Sequence, residues 1–213
     1  AGFGFRQAPT VGSTPATGGQ AEYKIKSGLG VGIFKNNPVS PQHTAGDDGY
    51  LQDAAAGTMD DGITGGAGWA TSTSNIQKLL GVFNGAFYID NSTSKPTYAN
   101  SVAASTTFAK DYNTGSNDGI GFVNDNPMQE YTTKCTAAAT QAQLLYTFNP
   151  QDGATAGTSE YGQSTVKLTN TGTATTAMFR IVRVANDPAN NDNSVVNSNV
   201  IVQMSPSACK SNS

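Results

Sequence analysis

The chain contains a single histidine, His43, and any serine–histidine–aspartate triad or histidine-based metal site would have to use it. His43 lies in a segment without apolar periodicity, and no Gly-x-Ser-x-Gly sequence occurs elsewhere in the chain. Such a context is typical of a histidine in a surface loop. We therefore predict no catalytic residues and no enzymatic activity.

Aspartates are concentrated in two segments and could supply the oxygen ligands that Ca²⁺ prefers. They are Asp47, Asp48, Asp53, Asp60 and Asp61 in the first segment, and Asp187 and Asp192 in the second. Their spacing lacks the glycine and glutamate positions of an EF-hand loop, and Asp-Gly steps are typical of turns. Phosphate-loop and dinucleotide-binding motifs are also missing from the sequence. We predict turns in both segments, no metal site and no cofactor.

Aromatic residues outside the strand patterns are the remaining candidates for binding. Tyr50 and Trp69 could form a platform for a sugar, or they could pack against their own loop or a neighbouring protein. Near the N-terminus, Phe3 and Phe5 alternate with glycine and precede Arg6, and these residue types anchor many interfaces. We predict Phe3, Phe5, Arg6, Tyr50 and Trp69 as interface residues.

Composition narrows the class of partner. Only 13% of the 213 residues are charged, about half the usual share, and the net charge is −3. This balance gives no long-range attraction to nucleic acid. The sequence also contains no run of about 18 apolar residues, the length that a membrane-spanning helix needs. The two cysteines, Cys135 and Cys209, fit no zinc spacing and are either two idle thiols or one disulfide.

The elements that would position these residues are predicted to be strands. Apolar runs at 23–34, 79–89, 119–123, 142–148, 164–168, 177–185 and 194–204 are separated by segments rich in Asn, Asp, Gly and Pro. The sequence therefore predicts an all-β fold, a barrel or a sandwich with long loops. Residues 1–20 are predicted to form an extended arm that the β body does not need for folding. Residues 21–213 are predicted to form a single β-rich domain, with a subdivision near residue 136 as the alternative.

The stretch at 77–100 is the most patterned part of the chain. Asn84-Gly85 lies between two apolar runs, which is a hairpin signal because both turn residues need positive φ. The alternative is one strand with an irregularity at Gly85. In either case, we expect Leu80, Val82, Phe83 and Phe87 to contribute to the core.

Two blocks of sequence carry a family resemblance. They are LLGVFNGAFYIDNSTSKPTYANSVAASTTF at 79–108 and GIGFVNDNPMQEYTTK at 119–134. Within them lie a Leu-Gly-Val-Phe strand (80–83), Gly85-Ala86, an aromatic and an aspartate at 88–90, Lys95-Pro96, Asp125-Asn126-Pro127 and Tyr131. The pattern resembles a family of tailed-bacteriophage capsid decoration (cement) proteins. The opening GFGFRQA and the closing DNSVVNSNVIVQMS are also similar, with Gln7 where the family frequently has proline.

The resemblance implies a structural role, with the capsid exterior of the virion as the location. It implies a cement protein that binds the outer surface of the shell and stabilises it, with the major capsid protein as partner. A homo-oligomer, either a trimer or a dimer, is expected. Position 84 varies in such proteins, which favours one core strand from Leu79 to Ile89, bent at Gly85, over an obligate Asn-Gly turn.

A second functional class fits the same composition. A secreted or fibre-borne carbohydrate-binding or adhesin module would also be all-β and rich in Thr and Asn. A flat row of exposed aromatic side chains would favour this second class, because sugars stack on such rows.

Overall fold

The structure, a computed structural model, describes residues 2–11, 19–42, 49–54, 79–111, 115–151, 157–158, 161–174, 177–185 and 194–205. Its regular structure is nearly all β, in several antiparallel sheets that form a sandwich, and the described strands close no barrel. The predicted all-β class is therefore confirmed, as a sandwich.

Two six-stranded sheets dominate the fold. The first sheet has the order β1 (Arg6–Thr10), β10 (Gln129–Lys134), β16 (Asn199–Met204), β15 (Phe179–Val184), β11 (Thr147–Pro150) and β14 (Leu168–Ala174). The second sheet has the order β2 (Ala21–Ile25), β9 (Gly119–Asn124), β6 (Gly81–Ile89), β4 (Pro38–Pro41) and β5 (Leu51–Asp53), and β7 (Pro96–Ala99) also pairs with β6. Two short pairs complete it, β3 (Ile33–Phe34) with β8 (Ser101–Val102) and β12 (Gly157–Thr158) with β13 (Gln163–Ser164).

Most of the apolar runs form strands, but the runs at 142–148 and 164–168 do not. The run at 164–168 contains only the last residue of β13, Ser164, and the first residue of β14, Leu168. The runs around 119–123, 177–185 and 194–204 correspond to β9, β15 and β16. The run at 142–148 instead includes part of a 3-10 turn, Gln141–Gln143, and reaches β11 only at Thr147. Leu145 lies between them at φ 68°, a left-handed conformation that interrupts an extended chain.

Two apolar cores lie on opposite sides of the second sheet. The first core contains residues of both large sheets, among them Val82, Tyr131, Phe179, Ile181 and Val202. The second core contains residues of the second sheet and of the β3–β8 layer, among them Ile25, Ile33, Leu51, Phe83, Val102 and Val123. The Tyr131 hydroxyl of β10 donates to the carbonyl oxygen of Asn124 in β9 at 3.2 Å, which joins the two large sheets.

β6 is one continuous strand rather than a hairpin. Val82 and Phe83 are both buried, and they enter the first and the second core respectively. The pairing of β6 with β9 slips between Phe83 and Gly85, where Gly85 adopts φ 152°. The predicted strand with an irregularity at Gly85 is therefore confirmed, and the irregularity is a bulge with Asn84 as the extra residue.

The bulge corrects the expectation that Phe87 belongs to the core. Phe83 faces the second core, but beyond the extra residue it is Ala86 and Tyr88 that pack on this core. One inserted residue inverts the alternation of a strand, so Phe87 lies on the opposite face from Phe83. Phe87 is half-buried and packs against Tyr98 with ring centroids 4.8 Å apart.

The structure also corrects the expectation that the N-terminal residues form an arm outside the body. Residues 6–10 are strand β1, paired antiparallel with β10. Phe5 is fully buried in the first core, where its ring stacks on Phe179 at 4.3 Å. An aromatic ring gains more from this burial than from solvent exposure, so the segment folds back onto its own domain. Residues 12–18 of the predicted arm lie outside the described residues.

The N-terminal segment is therefore expected to stabilise the fold. Replacing Phe5 by alanine (Phe5→Ala) should lower the free energy of unfolding by about 3–5 kcal/mol, because it leaves a cavity beside Phe179. Chemical denaturation followed by circular dichroism would measure the change. Phe3→Ala, which alters a half-buried ring two residues earlier, should cost less. Equal, small effects of both substitutions would show that Phe5 does not belong to the core.

β6 provides a second stability test. Val82→Asp would place a carboxylate between the two large sheets and should prevent folding, because no cation is available to pair with it in this apolar cluster. Asn84→Asp, a carboxylate on the same strand at the half-buried bulge, should remain folded. A soluble Val82→Asp protein that melts cooperatively would contradict the assignment of Val82 to the core.

Candidate functional site

The predicted interface residues at the N-terminus separate into a core residue and a surface cluster. Phe5 is buried, as described above. Phe3 remains half-buried on the first sheet, with the Arg6 guanidinium 5.4 Å and the Lys134 ammonium 5.6 Å from its ring centroid. Two cations near one aromatic ring form a positively charged surface spot next to β1 and β10.

Tyr50 belongs to a polar cluster on the second sheet that is centred on Asp118. The Asp118 carboxylate accepts hydrogen bonds from Ser116 at 2.6 Å, from Lys24 at 2.9 Å and from the Tyr50 hydroxyl at 3.0 Å. The structure thus uses Tyr50 to hold Asp118. Trp69, its proposed partner in an aromatic platform, lies outside the described residues.

The electrostatics of this cluster are those of a satisfied carboxylate. Burial by itself would raise the pKa of Asp118, but the hydrogen bonds from Ser116, Lys24 and Tyr50, together with the charge of Lys24, hold this pKa below its usual range. The same bond to Asp118 raises the pKa of Tyr50. A carboxylate with a lowered pKa and three donors is a poor proton acceptor, so the cluster is a structural feature rather than a general base.

A second tyrosine–aspartate pair joins β2 to β9. Tyr23 lies in β2, and its partner Asp125 follows the end of β9, whereas Asp118 precedes its start. The Tyr23 hydroxyl donates to Asp125 at 2.8 Å. Burial of the phenol, reinforced by the bond to Asp125, raises the pKa of Tyr23 to about 12. Tyr23 therefore stays protonated at physiological pH and acts as a hydrogen-bond donor that fixes the segment after β9.

Most of the residues that were considered as metal ligands lie outside the described part of the chain. His43, Asp47, Asp48, Asp60, Asp61, Asp187 and Asp192 all lie outside the described residues. Asp53 is buried and accepts a hydrogen bond from the Asn37 amide at 2.8 Å. Within the described residues, no three His, Cys, Asp or Glu side chains come together to hold a metal, and no helix is long and apolar enough to cross a membrane.

Cys135 is a buried free thiol at the end of β10. Burial raises its pKa to about 12, which leaves almost no reactive thiolate at neutral pH. Cys209 lies outside the described residues.

Leu145 is an exposed apolar residue that the sequence did not single out. It is 67% exposed, and the next residue, Tyr146, is also exposed. The Leu145 N–H donates to the carbonyl oxygen of Ile181 at 2.8 Å, and the Tyr146 carbonyl accepts from the Ile181 N–H at 3.1 Å. These two bonds fasten the turn to β15 on both sides of the strained residue. We call Leu145 and Tyr146 the apolar apex.

Asn170 fixes the segment that precedes the apolar apex. Its side chain is fully buried on β14, donates to the carbonyl oxygen of Ala138 at 2.9 Å and accepts from the Ala137 N–H at 2.8 Å. The Gln143 amide in turn donates to the Asn170 carbonyl oxygen at 2.6 Å. These bonds satisfy backbone groups that would otherwise be buried without partners, and they hold the segment before the apex in one conformation.

The outer face of the second sheet is the other feature that the sequence did not reveal. Beyond the bulge in β6, Phe122, Phe87 and Tyr98 occupy three neighbouring strands, β9, β6 and β7. Next to them is a pocket of about 280 Å³, lined by Asn84, Gly85, Ala86, Tyr98, Ala99, Asn100 and Phe122. The sequence signal that could have indicated this face was the Asn84-Gly85 step, because a bulge there reverses which residues of β6 face outward.

No protein-family model, no curated protein and no solved structure matches the chain.

The Asp118 cluster predicts a pH-dependent contribution to stability. A carboxyl whose pKa is lower in the folded state stabilises the fold fully above its unfolded pKa, and this contribution is lost as the pH falls through the folded value. Asp118→Asn should therefore destabilise the protein by about 1–3 kcal/mol at pH 7. The difference from the unmodified protein should disappear as the pH falls well below about 3.9.

Thermal melts between neutral and acid pH would measure this effect. Glu22→Gln, which removes an exposed carboxylate from neighbouring β2, is the matched control and should change the melting temperature little at any pH. A difference for Asp118→Asn that is constant with pH would show that the charge of Asp118 does not stabilise the fold.

Proposed function

We propose that this chain is a structural protein of a tailed-bacteriophage virion, a cement or decoration protein that binds the outer surface of the capsid shell and stabilises it. Its partner in this proposal is the major capsid protein, and it acts without catalysis. The sequence blocks at 79–108 and 119–134 support the proposal by their resemblance to such proteins. The β-sandwich also supports it, because a permanent shell protein needs a rigid body and a surface that adheres.

The observation that best supports attachment to another protein is the conformation of Leu145. A left-handed backbone at a leucine costs about 1–2 kcal/mol, and the 67% exposure of this side chain brings no compensating burial. Strained, exposed apolar residues are concentrated at functional surfaces, where a partner supplies the missing contacts. We infer that the apolar apex, Leu145 and Tyr146, is inserted into a recess on the capsid protein.

Two carboxylates that are paired within the protein fit such a role. Asp118 is held by three donors, and Glu130 in β10 is 5% exposed and forms a two-point ion pair with Arg183 at 3.0 and 2.5 Å. These carboxylates stabilise the protein itself and are not available to a charged partner. Attachment would then depend on shape and apolar contact, and many weakly bound copies on one closed shell would add to strong retention.

A dimeric or trimeric form remains part of the proposal. Several copies joined before they meet the shell would present several apices together, which increases the effective concentration of each one.

The apolar apex provides the direct test of attachment. Leu145→Asn replaces an apolar side chain by the residue that best tolerates a left-handed conformation after glycine. The variant should therefore be at least as stable as the unmodified protein, yet it should occupy purified shells much less. Co-sedimentation with capsids that lack the protein, at limiting protein concentration, would measure occupancy, and a thermal melt would measure stability.

Tyr161→Asn is a matched control, because Tyr161 is 68% exposed and lies outside the apex. Its occupancy of shells should equal that of the unmodified protein. Undiminished binding of Leu145→Asn would remove the apex from the interface. Failure of the unmodified protein to bind or stabilise shells would overturn the proposed function itself.

A further inference from the structure

Three aromatic side chains lie close together on the open face of the second sheet. Phe87 lies directly across from Tyr98 of β7 on one side and from Ile120 of β9 on the other. Phe122 lies across from Gly85, two residues before Phe87 on the same face of β6. Tyr98 is 77% exposed, and Phe87 and Phe122 are partly exposed. The three rings therefore form a short row across three strands.

Gly85 makes room for a pocket within this row. A side chain at position 85 would lie next to Phe122, and a Cβ there would come within 3.2 Å of the Ala99 carbonyl oxygen. Since glycine has no side chain, a pocket of about 280 Å³ is left, with Phe122 and Tyr98 in its lining. This volume is at the lower end for small-molecule sites, which suits a ligand about the size of one sugar ring.

Two amide side chains complete the lining. Asn84 is the extra residue of the bulge, and Asn100 follows β7. In the part of the chain that the structure describes, neither amide side chain forms a hydrogen bond with another residue. Each amide offers two donors and one acceptor, so both can bind the hydroxyl groups of a ligand.

The absence of charge in the lining restricts the ligand further. All seven lining residues are uncharged, and the nearest strand position beyond Phe122 is Glu22, a carboxylate. A phosphate or carboxylate ligand would meet no cation in the lining and would lie near a like charge. A purely apolar ligand would leave both amides without partners. The ligand must therefore be uncharged and must offer hydrogen-bonding groups to the amides. A neutral polyhydroxy ring does both, because its C–H face can pack on an aromatic ring while its hydroxyls bind the amides.

We propose that this pocket binds one unit of a neutral saccharide, stacked on the exposed ring of Tyr98 and hydrogen-bonded by Asn84 and Asn100. The lining contains no carboxylate, and glycoside cleavage ordinarily needs two of them, so the proposed activity is binding. The proposal goes beyond attachment to the shell and does not depend on it, because the apolar apex belongs to the first sheet and the pocket to the second.

Nuclear magnetic resonance titration of the isolated protein tests the site. The probes are methyl β-D-glucopyranoside, methyl β-D-galactopyranoside, methyl α-D-mannopyranoside and N-acetyl-D-glucosamine, with D-glucuronate as the charged comparison. At least one neutral sugar should shift the side-chain amide signals of Asn84 and Asn100, with a Kd on the order of 1–10 mM, as expected for so small a ligand. Glucuronate should leave these signals unchanged.

Substitutions of exposed residues separate the site from the rest of the surface. Tyr98→Ala should weaken binding about tenfold through loss of the stacking ring, whereas Tyr98→Phe should retain it. Asn100→Ala should also weaken binding, whereas Tyr161→Ala and Leu145→Asn should bind sugar like the unmodified protein. Unchanged spectra away from the pocket would establish that each variant is folded.

Three results would each overturn the proposal. The first is that no neutral sugar shifts the Asn84 or Asn100 signals at about 50 mM, well above the expected Kd. The second is binding of glucuronate alone. The third is sugar binding that Tyr98→Ala leaves unchanged. None of these results bears on shell binding, which is measured separately with Leu145→Asn.

Discussion

The alternation of side chains along β6 is the constraint on which both cores and the open sheet face depend. Val82 and Phe83 are consecutive, so a pleated strand must send them to opposite sides, and each enters a different core. A regular strand would have continued this pattern and placed Phe87 on the same side as Phe83. The extra residue at Asn84 reverses the phase, so the first half of β6 is buried on both faces and the second half keeps one face open.

A second constraint operates where the chain leaves the first core, at Leu145. The left-handed backbone there is unfavourable by about 1–2 kcal/mol. Each of the two hydrogen bonds between the apex and Ile181 contributes about 1 kcal/mol, which is enough to offset that cost. Asn170 prevents Leu145 from relaxing into an extended strand conformation, because the segment that precedes the apex is hydrogen-bonded to the Asn170 side chain. Local strain is thus maintained by a buried polar network a few residues away.

The sequence predicted the parts of the fold that depend on local patterns. The β class and the strands at 119–124, 179–184 and 199–204 follow from apolar runs and turn residues. The local pattern at Asn84-Gly85 was equally compatible with a hairpin, and the family resemblance favoured the single strand that the structure has. The burial of Phe5 did not follow, because alternation of Phe with Gly in a short segment is equally compatible with an arm that leaves the body. What decides the outcome is the space beside Phe179, a residue far along the chain, and no local pattern contains that information.

The surface features were less accessible to prediction for the same reason. Leu145 lies in an apolar run whose pattern predicts a strand. Its positive φ accompanies the backbone hydrogen bonds to Ile181, and no turn residue in the run indicates it. The row formed by Phe122, Phe87 and Tyr98 joins three strands whose pairing is known only once the register is fixed. The bulge was predicted, but its effect on the phase of the strand could be derived only from the pairing partners on both sides.

The low charge of the chain explains why its two proposed contact surfaces are apolar or neutral. With 13% charged residues, few carboxylates and cations are available, and several of those described are used within the protein, such as Glu130 with Arg183 and Asp118 with Lys24. Recognition must then depend on exposed aliphatic and aromatic groups and on amides, and amides are plentiful because the chain is rich in Asn. Such contacts change little with ionic strength, because screening acts on charges and not on packed apolar surface. Selectivity at both surfaces is therefore expected to depend on shape, at the apex through one protruding leucine and at the pocket through the missing side chain of Gly85.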